Sequence, residues 1–331
     1  PRSRNQYILN SSNAVLCLYG DKYEGEVSSQ FSSKENIKNI ISASHLGSHN
    51  LNLELSDKTA AYLLYTSGST GVPKGVMQTH RTLVNLVRSQ IQQDQITQPY
   101  RTLQFTPATF DVSIQEMTTA WATGSTLVMM SDEQKEDLSQ LPEIIIQQNV
   151  ERLFLPPAVF GWVADHVVEF NKSMPVLRQV IVAGEALQVS VNMAQFLSAH
   201  PSCELWNHYG PTETHVATTH RVDTYVSGHC PPIGKPVLNT QCLILDDNQN
   251  TCADGEQGEL WVKGAGIALG YINADEQTMS RFSTAEDGQP MYRTGDRVSK
   301  DPDGNLVFHG RKDDQVQIRG FRVELGEIEQ A

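Results

Sequence analysis

The stretch that most constrains this chain is a loop rich in glycine and hydroxyl groups, residues 65–75, which reads YTSGSTGVPKG. It follows an apolar run of strand type at 60–64, and we expect an amphipathic helix after it, capped by Thr79. Glycines let backbone N–H groups approach a ligand, and Ser and Thr hydroxyls with Lys74 add further donors and a positive charge. The loop therefore suits a polyphosphate, although Pro73 and the lack of a following Ser or Thr distinguish it from a P-loop.

Composition restricts the class of protein. At 331 residues the chain can form one large core or two domains, and its net charge of −13 argues against a nucleic-acid partner. The 5 cysteines are scattered, without a CxxC pair, which is typical of a reduced protein without a zinc site. With no apolar run of membrane-spanning length and no signal peptide, we expect a cytoplasmic protein with no membrane partner. A chain that opens at Pro1 without Met is expected to be part of a longer protein.

Hydrophobic patterning predicts two textures along the chain. Strands alternate with helices up to residue 211, which indicates a mostly parallel α/β sheet. From 212 to 312, short strand signals separated by Gly, Asn and Asp turns indicate a β-rich, barrel-like part. Local expectations include a strand at 14–18, a helix at 35–41, and a strand at 150–155 stopped by two prolines. The helix after the loop is predicted to bury one apolar face, formed by Leu83, Val84, Val87 and Ile91.

Two further motifs carry groups that suit a nucleotide. The sequence NHYGPTE at 207–213 lies where a strand meets a loop, at the carboxyl edge of the predicted sheet, where α/β folds bind ligands. There Tyr209 offers a flat face for a base, Thr212 a hydroxyl, and Glu213 an oxygen ligand for Mg²⁺. The sequence YRTGD at 292–296 exposes the Asp296 carboxylate, which can accept both ribose hydroxyls; taken alone, it is more often a turn residue.

With GRKDDQ at 310–315, these motifs resemble the adenylate-forming superfamily, and most closely the amino-acid-activating adenylation domains of non-ribosomal peptide synthetases. The resemblance runs from residue 61 to 329 and implies a large N-terminal core of parallel α/β sheets plus a β-rich subdomain. It implies ATP and Mg²⁺ as cofactors, catalytic roles for Lys74, Thr212 and Glu213, and Mg²⁺ held by Glu213. A further signature that ends at Tyr271 is interpreted as structural. The implied ATP and AMP contacts are Thr66, Ser67, Gly68, Ser69, Thr70, Gly71, Lys74, Gly184, Glu185, Ala186, Asn207, His208, Tyr209, Gly210, Thr212, Asp296, Phe308 and Arg311.

The same resemblance implies an amino-acid pocket. Its lining would be Asp111, Val112, Gln115, Phe154, Ile181, Ala183, His208, Val216 and Ala217. Asp111 favours an amino acid over other acids, because a buried α-ammonium group needs a carboxylate partner. Apart from Asp111 the set holds no carboxylate, Lys or Arg, and its apolar walls suit a small, compact side chain. The set resembles that of proline-activating domains, so we expect L-proline or a ring-substituted proline as the substrate.

The expected reaction joins the substrate carboxylate to AMP with release of pyrophosphate, followed by thioester loading onto the phosphopantetheine arm of a peptidyl carrier protein. The resemblance also implies more chain before Pro1 and a missing C-terminal subdomain that begins within 313–331, pivots at Asp313 and bears another catalytic Lys. We therefore expect the 331-residue chain alone to adenylate weakly. Two alternatives stay open, an acyl- or aryl-CoA ligase of the same superfamily and a non-catalytic scaffold. The sequence leaves open whether a small accessory protein binds.

Overall fold

A computed structural model describes residues 2–23, 34–42, 52–67, 72–92, 96–312, 315–318 and 321–324. The chain divides into two compact units, Pro1–Thr59 and Ala60–Ala331. The division near residue 212 rests on the change of pattern along the sequence, the division at residue 313 rests on the family resemblance, and both stay predictions.

The first unit is small. Its elements are α1 (Arg2–Ser11), β1 (Cys17–Tyr19), β2 (Lys34–Asn36) and α2 (Ile37–Ser42). β1 pairs with β2 in parallel, and the Asn36 side chain donates a hydrogen bond of 2.8 Å to the Asp21 carboxylate. The predicted strand at 14–18 is therefore shorter and later than expected, and the predicted helix at 35–41 begins after a strand.

The second unit begins with alternating strands and helices. Its first elements are β3 (Ala60–Thr66), β4 (Lys74–Thr79), α3 (His80–Gln92), β5 (Thr102–Gln104), α4 (Asp111–Ala122), β6 (Leu127–Met129), α5 (Asp132–Glu136), α6 (Leu141–Gln147), β7 (Arg152–Leu155), α7 (Pro157–Glu169), β8 (Gln179–Val182), α8 (Val191–Ala199), β9 (Glu204–Tyr209), β10 (Thr218–Val222) and β11 (Lys235–Pro236). The main sheet has the order β11-β10-β9-β8-β7-β5-β6. Strands β5 to β9 pair in parallel, while β10 and β11 join antiparallel. The predicted parallel α/β sheet is confirmed.

A strand separates the predicted phosphate loop from the next helix. β4 pairs antiparallel with β3, and β14 (Gly270–Tyr271) pairs antiparallel with β4 on its other side. The expected direct passage from loop to helix is therefore wrong. Thr79 caps α3 as predicted, because the backbone N–H of Thr82 donates 3.1 Å to its hydroxyl.

The buried face of α3 differs from the predicted one. Val84 is half exposed, and the side chains that α3 buries are Thr82, Asn85, Leu86, Ser89 and Gln90. Hydrogen bonds offset the cost of burying these polar groups. The Asn85 amide donates 2.9 Å to the carbonyl of Leu238, and the Asn239 amide donates 2.9 Å to the Asn85 oxygen.

The later part of the second unit is antiparallel. Its elements are β12 (Thr240–Leu245), β13 (Gly258–Gly264), α9 (Asp275–Arg281), β15 (Phe282–Thr284), β16 (Pro290–Lys300), β17 (Leu306–Arg311), β18 (Gln315–Ile318) and β19 (Phe321–Glu324). The sheet order is β12-β13-β16-β15, with β17 on β16, and β18 pairs with β19. The β-rich texture predicted after residue 212 is confirmed.

Two apolar cores stabilise these layers. Leu153 and Val180 on the parallel strands pack with Phe160 of α7, whereas Leu260 and Val298 belong to the core of the antiparallel sheet. The sequence reading missed α7, because Pro156 and Pro157 signal the end of a strand. Pro157 also starts this helix at its first turn, where a missing N–H costs nothing.

Candidate functional site

Parallel pairing aligns the carboxyl ends of β7, β8 and β9. Leu155 pairs with Val182, which pairs with Asn207. The predicted residues Ala183, Gly184, Glu185 and Ala186 follow β8, and Gly184 has a φ of +92°, a conformation that favours glycine. The sheet therefore brings the segment after β8 and the NHYGPTE motif to one edge, where ligands bind in such sheets.

Apolar members of the predicted substrate set form a separate cluster. Val112 packs against a buried group formed by Phe154, Ile181 and Trp206. Phe154, Ile181 and Trp206 are register partners on three successive strands, so they share one face of the sheet. Trp206 is missing from the predicted set, although its position two residues before His208 placed it on the same face as that residue.

A polar pair lies among the same elements. The Gln115 side-chain amide of α4 lies 3.0 Å from His208 Nδ1, and both side chains are buried. The amide donates to the ring nitrogen when that nitrogen is unprotonated. Val216 is half-buried, and Ala217 is buried in the core of the antiparallel sheet.

The first turn of α4 meets the loop that follows the NHYGPTE motif. His215 Nε2 lies 3.1 Å from the backbone carbonyl oxygen of Asp111. One hydrogen bond therefore links the backbone of Asp111, the predicted amino-acid anchor, to His215, which follows Glu213 by two positions. The side-chain amide of Gln78 in β4 donates a hydrogen bond of 2.7 Å to the backbone carbonyl of Thr212. The backbone N–H of Ala268 donates one of 2.9 Å to the backbone carbonyl of Glu213.

Glu116 restrains the segment that leads to Asp111. Its carboxylate accepts hydrogen bonds from the backbone N–H groups of Phe105 and Thr106, at 3.2 and 3.0 Å, and from the Thr106 hydroxyl at 2.9 Å. The side chain is fully buried. Burial raises the pKa of Glu116 to about 7, and this effect is larger than that of the hydrogen bonds, which lower the pKa. Nothing in the sequence motif signalled this role.

A second missed residue contacts the predicted metal ligand. Glu213 is only 1% exposed, and the Tyr271 hydroxyl donates 2.6 Å to its Oε1. Burial and the nearby Glu213 charge raise the pKa of Tyr271, so its hydroxyl keeps the proton that it donates. Lys74 Nζ lies 5.6 Å from the centre of the Tyr271 ring. Tyr271, read from sequence as structural, thus joins Glu213 to Lys74.

The predicted ribose site is a hydrogen-bonded group between the two sheets, and the Asp296 carboxylate, which was expected to be exposed, is buried in it. Arg311 Nη1 donates 2.7 Å to Asp296 Oδ1, and the Tyr209 hydroxyl donates to Asp296 Oδ2. Burial, and then the Asp296 charge, raise the pKa of Tyr209 well above its usual value, which preserves it as a donor. The rings of Tyr209 and Phe308 lie 6.4 Å apart.

Other predicted residues are engaged differently or lie outside the described ranges. The Asn207 amide donates 3.0 Å to the carbonyl of Pro232. Thr66 pairs with Lys74 at the mouth of the β3–β4 hairpin, and Ser67 follows it. The phosphate-loop residues Gly68, Ser69, Thr70 and Gly71 and the predicted hinge Asp313 lie outside the residues that the structure describes.

Two general features concern metals and membranes. Within the described ranges, no group of three or more His, Cys, Asp or Glu side chains is arranged to hold a metal ion. Among the helices of the same described residues, none has the length and apolarity needed to cross a lipid bilayer.

Comparisons with known proteins identify a family and several relatives. The model of a family described as AMP-binding enzyme matches residues 1–272. Gramicidin S synthase 2 of Brevibacillus brevis is 36% identical over 334 residues, which cover 99% of this chain and 7% of that protein. Tyrocidine synthase 2 of Brevibacillus parabrevis is 39% identical over 272 residues, 81% of this chain and 8% of that protein. The chain thus spans less than a tenth of the length of these relatives.

Solved structures show the same similarity. A non-ribosomal peptide synthetase protein that contains adenylation and PCP domains, bound to a vinylsulfonamide inhibitor, matches with a TM-score of 0.82 and 27% identity. The match covers 100% of this chain and 56% of that one. The artificially fused adenylation-PCP di-domain NpsA-ThdA from Klebsiella oxytoca gives a TM-score of 0.85 at 27% identity, covering 100% of this chain and 66% of that one.

Proposed function

Because the chain belongs to the AMP-binding enzyme family, we propose that it activates an amino acid with ATP as an aminoacyl-adenylate. The observation that carries the proposal is the contact of 3.1 Å between His215 Nε2 and the Asp111 carbonyl. It joins the predicted amino-acid anchor to the loop that bears Thr212 and Glu213. One site could therefore hold both reactants.

The reaction needs positioning and charge neutralisation. A carboxylate oxygen of the amino acid attacks the α-phosphorus of ATP, and the bond from that phosphorus to the oxygen bridging to the β-phosphate breaks. The electron pair leaves with pyrophosphate. Lys74 and the Thr212 hydroxyl are the groups of this chain proposed to bind phosphate oxygens, because fixed donors stabilise charge that builds up in the transition state.

The donor set at Glu213 fits a magnesium ion. A buried carboxylate is a hard oxygen ligand, and Mg²⁺ in nucleotide sites is commonly held by one or two carboxylates together with phosphates. Glu213 would hold the ion, and bound Mg²⁺ would neutralise charge on the phosphates. The Tyr271 hydroxyl orients Glu213 through its hydrogen bond of 2.6 Å.

The nucleoside would lie between the two sheets. Tyr209 offers a face to adenine beside the turn formed by Gly184, Glu185 and Ala186, and the Asp296 carboxylate would accept the ribose hydroxyls. The Asp296 carboxylate accepts hydrogen bonds from Arg311 and Tyr209, and the two oxygens of a carboxylate offer about four acceptor positions in all. These residues support ATP as the second substrate.

We propose L-proline, or a ring-substituted proline, as the amino acid. Asp111 would pair with the secondary ammonium group, while Val112, Phe154 and Ile181 form an apolar wall. The Gln115 amide lies 3.0 Å from His208 Nδ1, and a polar pair of this kind suits an uncharged, compact side chain such as a pyrrolidine ring. An enzyme discriminates between two substrates that differ by one methylene by only about 1–3 kcal/mol, so close analogues of proline should react slowly rather than not at all.

The second half-reaction is proposed from the relatives. Both solved structures pair an adenylation domain with a PCP domain. A peptidyl carrier protein with a phosphopantetheine thiol would attack the adenylate carbonyl and release AMP.

Pyrophosphate exchange tests the proposal. The full-length protein that carries this chain is incubated with ATP, labelled pyrophosphate and each of the twenty amino acids, and with pipecolate as a ring-enlarged analogue. Proline should give the highest exchange, and Asp111→Asn should abolish it. Asp223→Asn, which removes an exposed carboxylate elsewhere, is the matched control. Highest exchange with leucine or phenylalanine would refute proline, while dependence on coenzyme A would indicate a CoA ligase instead.

A further inference from the structure

His215 was not assigned to the amino-acid or nucleotide contacts, yet it lies at their junction. Its side chain is 5% exposed, and its Nε2 lies 3.1 Å from the carbonyl oxygen of Asp111. A carbonyl oxygen only accepts, so Nε2 carries the proton and donates it. The imidazole therefore ties the first turn of α4 to the loop after Glu213.

The backbone beneath this imidazole is fixed. His215 has a φ of +54°, in the left-handed region that His and Asn tolerate better than most residues. The Thr214 hydroxyl donates 3.1 Å to the His215 carbonyl. A Cβ at Gly210 would lie 1.7 Å from the same carbonyl oxygen, so only glycine fits at this close approach of the two loop segments. The ring thus projects from a rigid loop.

We propose that His215 is a positioning residue that holds Asp111 in register with the Thr212–Glu213 loop, so that the amino acid lies in line with the α-phosphate of ATP. The inference rests on the proposed function. His215 touches neither reactant in this role, and its loss should weaken use of the amino acid while leaving nucleotide binding nearly unchanged.

Two substitutions separate the contact from the backbone conformation. His215→Asn keeps a residue that tolerates positive φ, but its side chain is too short to reach Asp111. His215→Gln can place an amide N–H near the position of Nε2, in a residue less suited to positive φ. A positioning role predicts that Asn impairs and Gln rescues. A purely conformational role predicts the reverse order.

Exchange kinetics in the full-length protein decide between them. Loss of one hydrogen bond of this kind should raise KM for proline about tenfold in His215→Asn, with KM for ATP within about twofold of wild type. His215→Gln should stay within about threefold of wild type for both substrates. An unchanged KM for proline in His215→Asn would overturn the inference and leave the proposed function standing. Absence of exchange by the wild type with any amino acid would overturn the proposed function and this role with it.

A readout independent of activity accompanies the kinetics. In histidine-labelled protein, ¹⁵N NMR should show the His215 ring protonated on Nε2, the nitrogen that lies 3.1 Å from the Asp111 carbonyl oxygen. Protonation on Nδ1 alone would overturn the contact whatever the kinetics show.

Discussion

Tyr271→Phe removes one hydroxyl and little else from the proposed metal site. The hydroxyl donates 2.6 Å to Glu213 Oε1, and both side chains are buried. The ring itself packs edge-on against Phe282 at 5.3 Å and lies 5.6 Å from Lys74 Nζ. Phenylalanine keeps both ring contacts, so the substitution tests the hydrogen bonds of the hydroxyl, which pairs with Glu213 and also with the Tyr292 side chain.

Two magnitudes follow from this geometry. A hydrogen bond to a charged group contributes about 1.5–3 kcal/mol, and the buried carboxylate loses this donor without gaining water. We therefore expect the free energy of unfolding to fall by about 2 kcal/mol. Outer-shell partners of metal ligands typically affect metal affinity by about 10–100-fold, so the Mg²⁺ concentration for half-maximal exchange should rise by at least about tenfold.

Pyrophosphate exchange titrated with Mg²⁺, and thermal unfolding of the same samples, measure the two effects. Tyr225→Phe is the matched control, because Tyr225 packs against the α/β core instead. It should leave the Mg²⁺ dependence unchanged. If Tyr271→Phe shows the wild-type Mg²⁺ dependence despite a lower melting temperature, the link from Tyr271 to the metal is wrong and the contact is only structural.

Three further outcomes are expected. The pKa of Glu116 is raised to about 7 from 4.5, so the protonated side chain is favoured in the folded state; its contribution to stability is full below pH 4.5 and is lost as the pH rises through 7. Glu116→Gln should therefore remove up to about 3 kcal/mol of the pH dependence of unfolding free energy between pH 4 and 8, and an unchanged slope would contradict the assignment. Gly210→Ala would bring a Cβ to 1.7 Å from a backbone oxygen, whereas Gly20→Ala meets no atom of the described residues within 4 Å. Exchange should fall at least about 100-fold only in Gly210→Ala, and equal activity of the two variants would refute the close approach. Arg311→Lys removes the guanidinium group that donates a hydrogen bond of 2.7 Å to Asp296. In exchange kinetics, KM for ATP should therefore rise about tenfold while KM for proline stays unchanged.

Patterning along the chain predicted the main sheet, because its strands are short apolar runs with turn residues at their ends. The resemblance to adenylation domains, rather than patterning, named residues that the fold brings together. Val112, Phe154 and Ile181 lie far apart in sequence yet form one cluster, since parallel pairing aligns successive strands at the same height.

Long-range hydrogen bonds explain what the sequence could not predict. The polar face of α3 is buried because Asn85 bonds to Leu238 and Asn239, more than 150 positions away. The role of Tyr271 depends on a partner 58 positions earlier, and no local pattern encodes such a pair. Glu116 lies in a helix where a charged side chain usually faces water, so its buried bonds to Phe105 and Thr106 gave no signal.

Calorimetric binding of prolyl-sulfamoyl adenosine, a stable mimic of the proposed adenylate, tests most directly whether Asp111 and the Thr212–Glu213 loop serve one site. The account predicts that the mimic binds the full-length protein at least about 100-fold more tightly than AMP, and that Asp111→Asn removes most of this gain without changing the affinity for AMP. Equal affinity for the mimic and for AMP, or a gain that survives Asp111→Asn, would contradict it.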